Sequence, residues 1–277
     1  MRQADLVVLA NAAQQLESSN VATSISHIIG MPIEKAMSTL PGHWSNVVSR
    51  ITKKALEKAL NAALYSLNNK VKRPKNKIHT LMVGISGAVG GSFGIAALAV
   101  ELPVSATIML RSIADIARGH GENLDDLESK MACLTVFALS GGGASQNSEA
   151  ANTSYYAVRS FLTKALGDTT NHIAVHGVSK EGAPLLVKLI NAVSVRFSIP
   201  VSGKLAAQSL PVIGAVSGAS VNWLFIRHYQ KMAEAHFMVR SLERRYGCKE
   251  VETWYQKIVE YNAKVSTKKW QAKEIEV

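Results

Sequence analysis

One group of charged residues in this sequence has the spacing of a binding or catalytic cluster. Arg111, Asp115 and Arg118 recur at i, i+4 and i+7 of a helical segment, so a carboxylate lies between two guanidinium groups on one face. His120 and Glu122 follow directly after it. The cluster is a candidate wall of a polar pocket. The alternative is an ion-pair cluster that fixes this helix to its neighbours.

A second group lies downstream, where Asn222, His228 and His236 stand among large apolar residues. The two histidines are two helical turns apart, which is too far to share one metal ion without a further element. This segment has no i, i+4 histidine pair, and the sequence has no Cys-x-x-Cys motif. It therefore predicts no metal and no cofactor, and it favours buried, hydrogen-bonded histidines over metal ligands. We expect these three residues and the first group around a common pocket.

Other chemistries have no support in the motifs. The glycine-rich run from Gly84 to Gly94 lacks the Lys-Ser/Thr end of a phosphate-binding loop, and no strand precedes it as a dinucleotide fingerprint requires. The catalytic residues of any reaction stay unknown at this stage.

The elements that must position these residues are predicted to be helices. Apolar residues recur at three- and four-residue steps, and no alternating strand pattern is present. Helices are predicted at 47–69, 103–119, 124–139, 155–166, 182–196, 222–246 and 251–264. The pattern predicts an all-α fold, a compact multi-helix bundle.

The net charge of +11 is concentrated at the two ends of the chain. Residues 1–80 have 11 basic and 4 acidic side chains, residues 81–226 have 9 of each, and residues 227–277 have 11 and 7. Much of the first excess lies on the helix at 47–69 and directly after it, at Arg50, Lys53, Lys54, Lys58, Lys70, Lys72, Arg73, Lys75 and Lys77. Such a surface suits anionic lipid. A solvated basic face is the alternative, and the lack of a nucleic-acid motif or interleaved aromatic residues argues against nucleic acid.

Two uncharged stretches, at 78–100 and 205–226, are predicted to form Gly-rich apolar central helices. Glycines four residues apart allow helix backbones to approach closely. The packing glycines are Gly87, Gly91, Gly94, Gly214 and Gly218. Three interpretations stay open: central helices of a soluble bundle, a hairpin that inserts partly into a bilayer, and permanent spanning.

Three blocks of this sequence resemble the EcsC family: LPVSATIMLRSIADIARGHGENL from Leu102, YYAVR from Tyr155 and LPVIGAVSGASVNWLFIRHYQKMAEAHFMVRSLERRYG from Leu210. The resemblance implies a mainly helical bacterial protein, and it supplies no catalytic residues. The family resemblance and the helix pattern predict a helical extension at 1–44, an EcsC-like helical domain at 45–265 and a charged tail at 266–277.

These observations favour a non-enzymatic, membrane-associated helical protein that binds anionic lipid or a membrane-protein partner. With two cysteines and no apolar signal sequence, the expected location is the cytoplasm, at the inner face of the cytoplasmic membrane. The alternative is an enzyme, for example a hydrolase, with a pocket between the Arg111 and His228 helices. The oligomeric state stays open.

Overall fold

A computed structural model of the chain describes residues 1–18, 25–26, 32–38, 40–66, 94–140, 155–162, 183–208 and 214–275. Its helices are α1 (Gln3–Ser18), α2 (Ile33–Ser38), α3 (Trp44–Ser66), α4 (Gly94–Gly119), α5 (Leu127–Leu139), α6 (155–162), α7 (Ala183–Gln208), α8 (Gly214–Tyr246) and α9 (Cys248–Ile275). No strand occurs in these ranges. The prediction of an all-α bundle is confirmed.

The central helix α8 runs parallel to α4 and antiparallel to α7. Three contacts follow one another in the same order along the two segments, namely Glu101 to Asn222 and Ser112 to Gln230 between α4 and α8, and then Glu122, just after α4, to Arg240. Helix α7 has the opposite direction, because Lys204 contacts Glu101 while Arg196 donates to the carbonyl of Ala138 further along the bundle. Charged side chains of distant segments therefore meet inside the bundle.

The core between these helices is formed largely by aromatic and aliphatic side chains. Phe137, Phe197, Phe225 and Tyr229 form a cluster in which the ring centroids of contacting pairs lie 4.7–6.1 Å apart. Tilted and edge-to-face contacts of this kind are favourable for aromatic rings. The cluster connects α5, α7 and α8 and holds them in register.

Helix α1 packs against α8 and α9. Its buried face consists of Leu9, Ala12, Ala13 and Leu16. Asp5, at its start, accepts hydrogen bonds from Tyr246 at the end of α8 (2.6 Å) and from Arg245 (3.0 Å). The division of the chain into an extension, a domain and a tail stays a prediction.

The two uncharged stretches lie only partly within the described residues. Gly87 and Gly91 fall outside them, together with the basic run at 70–77, whereas Gly94 is the first residue of α4 and Gly214 and Gly218 begin α8. Among the described helices, none combines the length and the apolar character needed to cross a membrane. The role of the glycines in close packing stays a prediction.

Candidate functional site

The six residues predicted to line a pocket lie in different parts of the bundle. Asn222, His228 and His236 extend along α8, and the 14 residue steps from the first to the last correspond to about 21 Å of helix. Arg118 forms a short ion pair with Asp115, as the spacing suggested, whereas Arg111 is exposed. Between α4 and α8, buried Gln230 donates to Ser112 (2.9 Å). The six residues therefore do not meet around one cavity.

Asn222 belongs to a buried charged cluster at one end of the bundle. The carboxylate of Glu101 accepts hydrogen bonds from the Lys204 ammonium (2.7 Å) and from the Asn222 amide (2.9 Å). The Lys204 ammonium also lies over the Phe225 ring, 5.4 Å from its centroid. Lys204 is 1% exposed, so this ion pair is part of the core and offers no open site.

His228 lies in the middle of the bundle against the end of α5. Its Nε2 atom is 2.7 Å from the Ser140 hydroxyl. Burial lowers the pKa of His228 to about 4, and the charge of Lys231 acts in the same direction. The imidazole is therefore neutral at neutral pH, with the buried, hydrogen-bonded character that the sequence favoured.

His236 takes part in a polar network that joins α6 and α8. Its Nδ1 atom is 2.9 Å from the Tyr155 hydroxyl, which also accepts a hydrogen bond from Arg159 Nη1 (3.3 Å). Arg159 forms a two-pronged ion pair with Glu243, with distances of 2.7 and 2.6 Å. Tyr156 donates a further hydrogen bond to Glu243 (3.0 Å). Paired contacts of this type fix both side chains in orientation.

This network lies beside a cavity of about 380 Å³, a volume within the range of small-molecule sites. Helix α8 lines the cavity with one face, because its lining residues recur at three- and four-residue steps. The full lining is Glu128, Ala132, Thr135, Leu139, Arg159, Leu162, His236, Arg240, Glu243, Arg244 and Cys248. His236 is the member of the predicted set that lines this cavity.

A second ion-pair cluster reaches the cavity through Arg240 and Arg244. Glu122 is buried and accepts hydrogen bonds from Arg240 (2.8 and 3.2 Å), from Arg244 and from the Ser129 hydroxyl (2.9 Å). Arg240 also reaches Glu128 at the rim, at 3.3 Å. The Glu128 side chain is 59% exposed, so water screens its charge more than that of Glu122.

Burial sets the protonation of the groups around the cavity. Burial, together with the charges of Arg159 and Arg240, holds the pKa of His236 well below its ordinary value. Burial raises the pKa of Tyr155 to about 12, although Arg159 acts against this shift. At neutral pH the histidine is therefore neutral and the phenol is protonated. Among the described residues, no group of three His, Cys, Asp or Glu side chains could hold a metal ion.

The residues that the sequence analysis missed come from α6 and from the end of α8. Tyr155 and Arg159 lie in the YYAVR segment, where they were noticed only as part of a family resemblance. Their i, i+4 spacing places them on one helix face, which is the signal that could have selected them. Glu243 lies seven residues after His236 and faces the same cavity. No local pattern identifies Glu243 as the partner of Arg159.

A separate surface is formed where α4 and α8 lie side by side. On α4, the exposed residues are rotated about a quarter turn back around the helix axis from Glu101, which faces α8. On α8, they are rotated about a quarter turn forward from the residues that contact α4. Because both helices are right-handed and parallel, ideal helix geometry places both exposed stripes on the same side of the pair. We call this surface the α4–α8 face; it consists of Val100, Val104, Arg111, Trp223, Arg227 and Lys231.

The predicted basic residues of α3 are described in part by the structure. Arg50, Lys54 and Lys58 are exposed at successive turns of the helix, and Lys53 is half-buried. Helix α3 packs against α4 and α7 through its opposite face, which buries Ala55, Leu56 and Leu60. The remaining predicted residues of this surface, at 70–77, lie outside the described part of the chain.

The helical bundle and the family model agree on what class of protein this is. The chain matches the EcsC protein family over residues 8–242 of 277. It therefore belongs to the EcsC family. No curated protein and no solved structure matches the chain significantly.

Proposed function

We propose that this protein is a non-enzymatic, membrane-associated helical protein that binds anionic lipid at the inner face of the cytoplasmic membrane. The observation that supports this function best is the α4–α8 face, which combines exposed apolar and basic side chains on one surface. Val100 is 73% exposed, Val104 50% and Trp223 51%. Arg111, Arg227 and Lys231 are the exposed basic residues of the same face.

This combination suits the boundary between headgroups and acyl chains. Tryptophan is enriched there because its ring is apolar while its N–H can reach water or a headgroup. Each basic residue near an anionic surface contributes about 1 kcal/mol before screening. Isolated exposed apolar side chains are common on soluble proteins, so it is the grouping with three cations that supports a membrane surface.

Further basic residues extend the attraction beyond this face. Arg50, Lys54 and Lys58 on α3 are exposed, and α3 packs directly against α4. The basic run at 70–77 lies between α3 and α4 in the sequence. Both segments add positive charge that can attract an anionic bilayer. The approach is electrostatic first, and the apolar side chains contribute once contact is made.

Flotation of the purified protein with vesicles tests the proposal. We expect binding to phosphatidylglycerol–phosphatidylcholine vesicles and none to phosphatidylcholine alone. The triple variant R111Q/R227Q/K231Q should weaken binding by about 100-fold, because it removes about 3 kcal/mol of attraction. The variant K70Q/K72Q/R73Q/K75Q/K77Q should abolish it.

The matched control removes the same charge from α9. Lys249, Lys257 and Lys264 are exposed and interleaved with Glu250, Glu252 and Glu260. The variant K249Q/K257Q/K264Q should therefore bind nearly as well as the unchanged protein. Equal binding to both vesicle types, absence of binding to either, or equal loss in both triple variants would contradict the proposal. At 1 M salt, where the Debye length is about 3 Å, a purely electrostatic contact is released.

A further inference from the structure

The hydrogen bonds around Tyr155 determine which nitrogen of His236 carries its proton. Arg159 can only donate, so its bond to the Tyr155 hydroxyl uses a lone pair of that oxygen. We assign the hydroxyl hydrogen to His236 Nδ1, 2.9 Å away, because the other tautomer, with a hydrogen on Nδ1, would leave the buried hydroxyl hydrogen without an acceptor among the described residues. A neutral imidazole whose Nδ1 accepts must carry its hydrogen on Nε2. His236 therefore presents an N–H donor at Nε2.

That donor is buried and has no hydrogen-bond partner among the described residues. The His236 ring lines the cavity, and its other nitrogen is already engaged with Tyr155. A buried donor without an acceptor costs about 1–3 kcal/mol, so the arrangement favours an acceptor that enters from the cavity. The chain from Glu243 through Arg159 and Tyr155 keeps the ring in the orientation needed to donate.

The charge around the cavity favours an acceptor that carries one negative charge. Three guanidinium groups lie there, those of Arg159, Arg240 and Arg244. Two buried carboxylates, Glu243 and Glu122, are paired with them. The third carboxylate, Glu128, is mostly exposed and reaches Arg240 only at 3.3 Å. The three guanidinium groups and two buried carboxylates leave one positive charge. A ligand anion that displaces Glu128 from Arg240 would balance this charge from a more buried position.

The remaining wall of the cavity is apolar. Ala132, Leu139 and Leu162 are buried side chains of α5 and α6 that line it. A ligand with a charged head and a short hydrocarbon chain would place its head near His236 and Arg240 and its chain against this wall.

We propose that this cavity is a binding site for a small aliphatic monocarboxylate, whose carboxylate accepts hydrogen bonds from His236 Nε2 and from the Arg240 guanidinium. The site is separate from the α4–α8 face, and its occupation requires no membrane. Because Nε2 is buried, the carboxylate can enter only after a small displacement of the lining side chains. The ion pair between Glu128 and Arg240 at the rim is the longest of those around the cavity, so we expect it to open first.

Titration calorimetry with octanoate and no vesicles tests the site directly. Octanoate should bind, whereas octanamide, which lacks the charge, should bind at least about tenfold more weakly. The variant E128Q should bind octanoate about three- to tenfold more tightly, because it removes the competing anion from Arg240. The control E234Q removes an exposed acid of α8 that lies outside the cavity lining, and it should leave the affinity within about twofold.

Removal of the His236 donor should weaken octanoate binding, in contrast to the tighter binding expected of E128Q. The variant H236F should weaken binding by at least about tenfold, since it leaves the carboxylate without its buried partner. Far-ultraviolet circular dichroism establishes whether this variant is folded, and E128Q keeps the test decisive if it is not.

Cys248 supplies an independent measurement of occupancy. It lines the cavity and is exposed, whereas Cys133 is buried. Octanoate should therefore slow the alkylation of Cys248 by iodoacetamide in the unchanged protein. Absence of octanoate binding, equal affinity for octanamide, or weaker binding by E128Q would each overturn the proposal. Vesicle flotation does not enter any of these measurements, so failure here is distinct from failure of the proposed membrane function.

Discussion

At the scale of single residues, the bundle contains more charge in its interior than its apolar composition suggests. Glu101 and Lys204 are both buried and lie 2.7 Å apart. Removing two charges from water is costly, and their attraction recovers this cost only when the geometry is good. Asn222 adds a hydrogen bond to the same carboxylate oxygen. The pair therefore specifies how α4, α7 and α8 meet more than it stabilises them.

This interpretation predicts an asymmetry between single and double substitutions. Glu101→Gln leaves the Lys204 ammonium buried without its carboxylate and should lower the free energy of unfolding by about 3–5 kcal/mol. The double variant E101M/K204M removes both charges and should be within about 1 kcal/mol of the unchanged protein, or more stable. Urea denaturation measures both. A cost below about 1 kcal/mol for Glu101→Gln would show that the pair contributes little.

At the scale of elements, the sequence predicted helices in the right places but several of their ends were wrong. Helix α4 was predicted to begin at Pro103, yet it begins at Gly94 and passes through the proline. Proline removes one backbone hydrogen bond, here the one to the carbonyl of Ala99. Ala99 is exposed, so water can satisfy that carbonyl. Helix α7 likewise continues through Pro200, where the prediction ended at 196. Tertiary packing overrode the low helix propensity of proline, and a local sequence pattern carries no information about that packing.

Because Pro103 lies inside a helix, its replacement should be stabilising. Pro103→Ala restores an N–H donor for the carbonyl of Ala99 and should raise the free energy of unfolding by about 2 kcal/mol, less the entropy that proline removes from the unfolded chain. Pro200→Ala is the matched comparison: this proline is buried, so lost packing should offset the gain. Thermal unfolding of both variants measures the difference. A destabilised Pro103→Ala variant would mean that α4 requires the proline.

At the scale of the whole molecule, the limits of the sequence prediction follow from distance along the chain. Tyr155 and Arg159 meet His236 and Glu243 across separations of 81 and 84 residues, and no periodicity connects segments so far apart. Spacing within one helix did identify Asp115 and Arg118 as neighbours. It could not reveal that Asn222, His228 and His236 face three different partners, because that depends on which helix packs at each level of α8.

The same reasoning applies to the ends of the chain, where two truncations give contrasting predictions. The sequence suggested a helical extension at 1–44, but α1 buries Leu9, Ala12, Ala13 and Leu16 against α8 and α9. Deletion of residues 1–18 would expose those apolar surfaces, and each buried leucine alone is worth about 2–5 kcal/mol when truncated to alanine. We expect this variant to unfold at a clearly lower temperature or to aggregate.

Deletion of 266–277 is the control, since these residues follow the exposed segment 260–265 and their removal should change the unfolding temperature little. Differential scanning calorimetry of the two variants decides the matter: if removal of α1 leaves the unfolding temperature unchanged, α1 is an independent extension, and its contacts with α8 contribute nothing to the stability of the bundle.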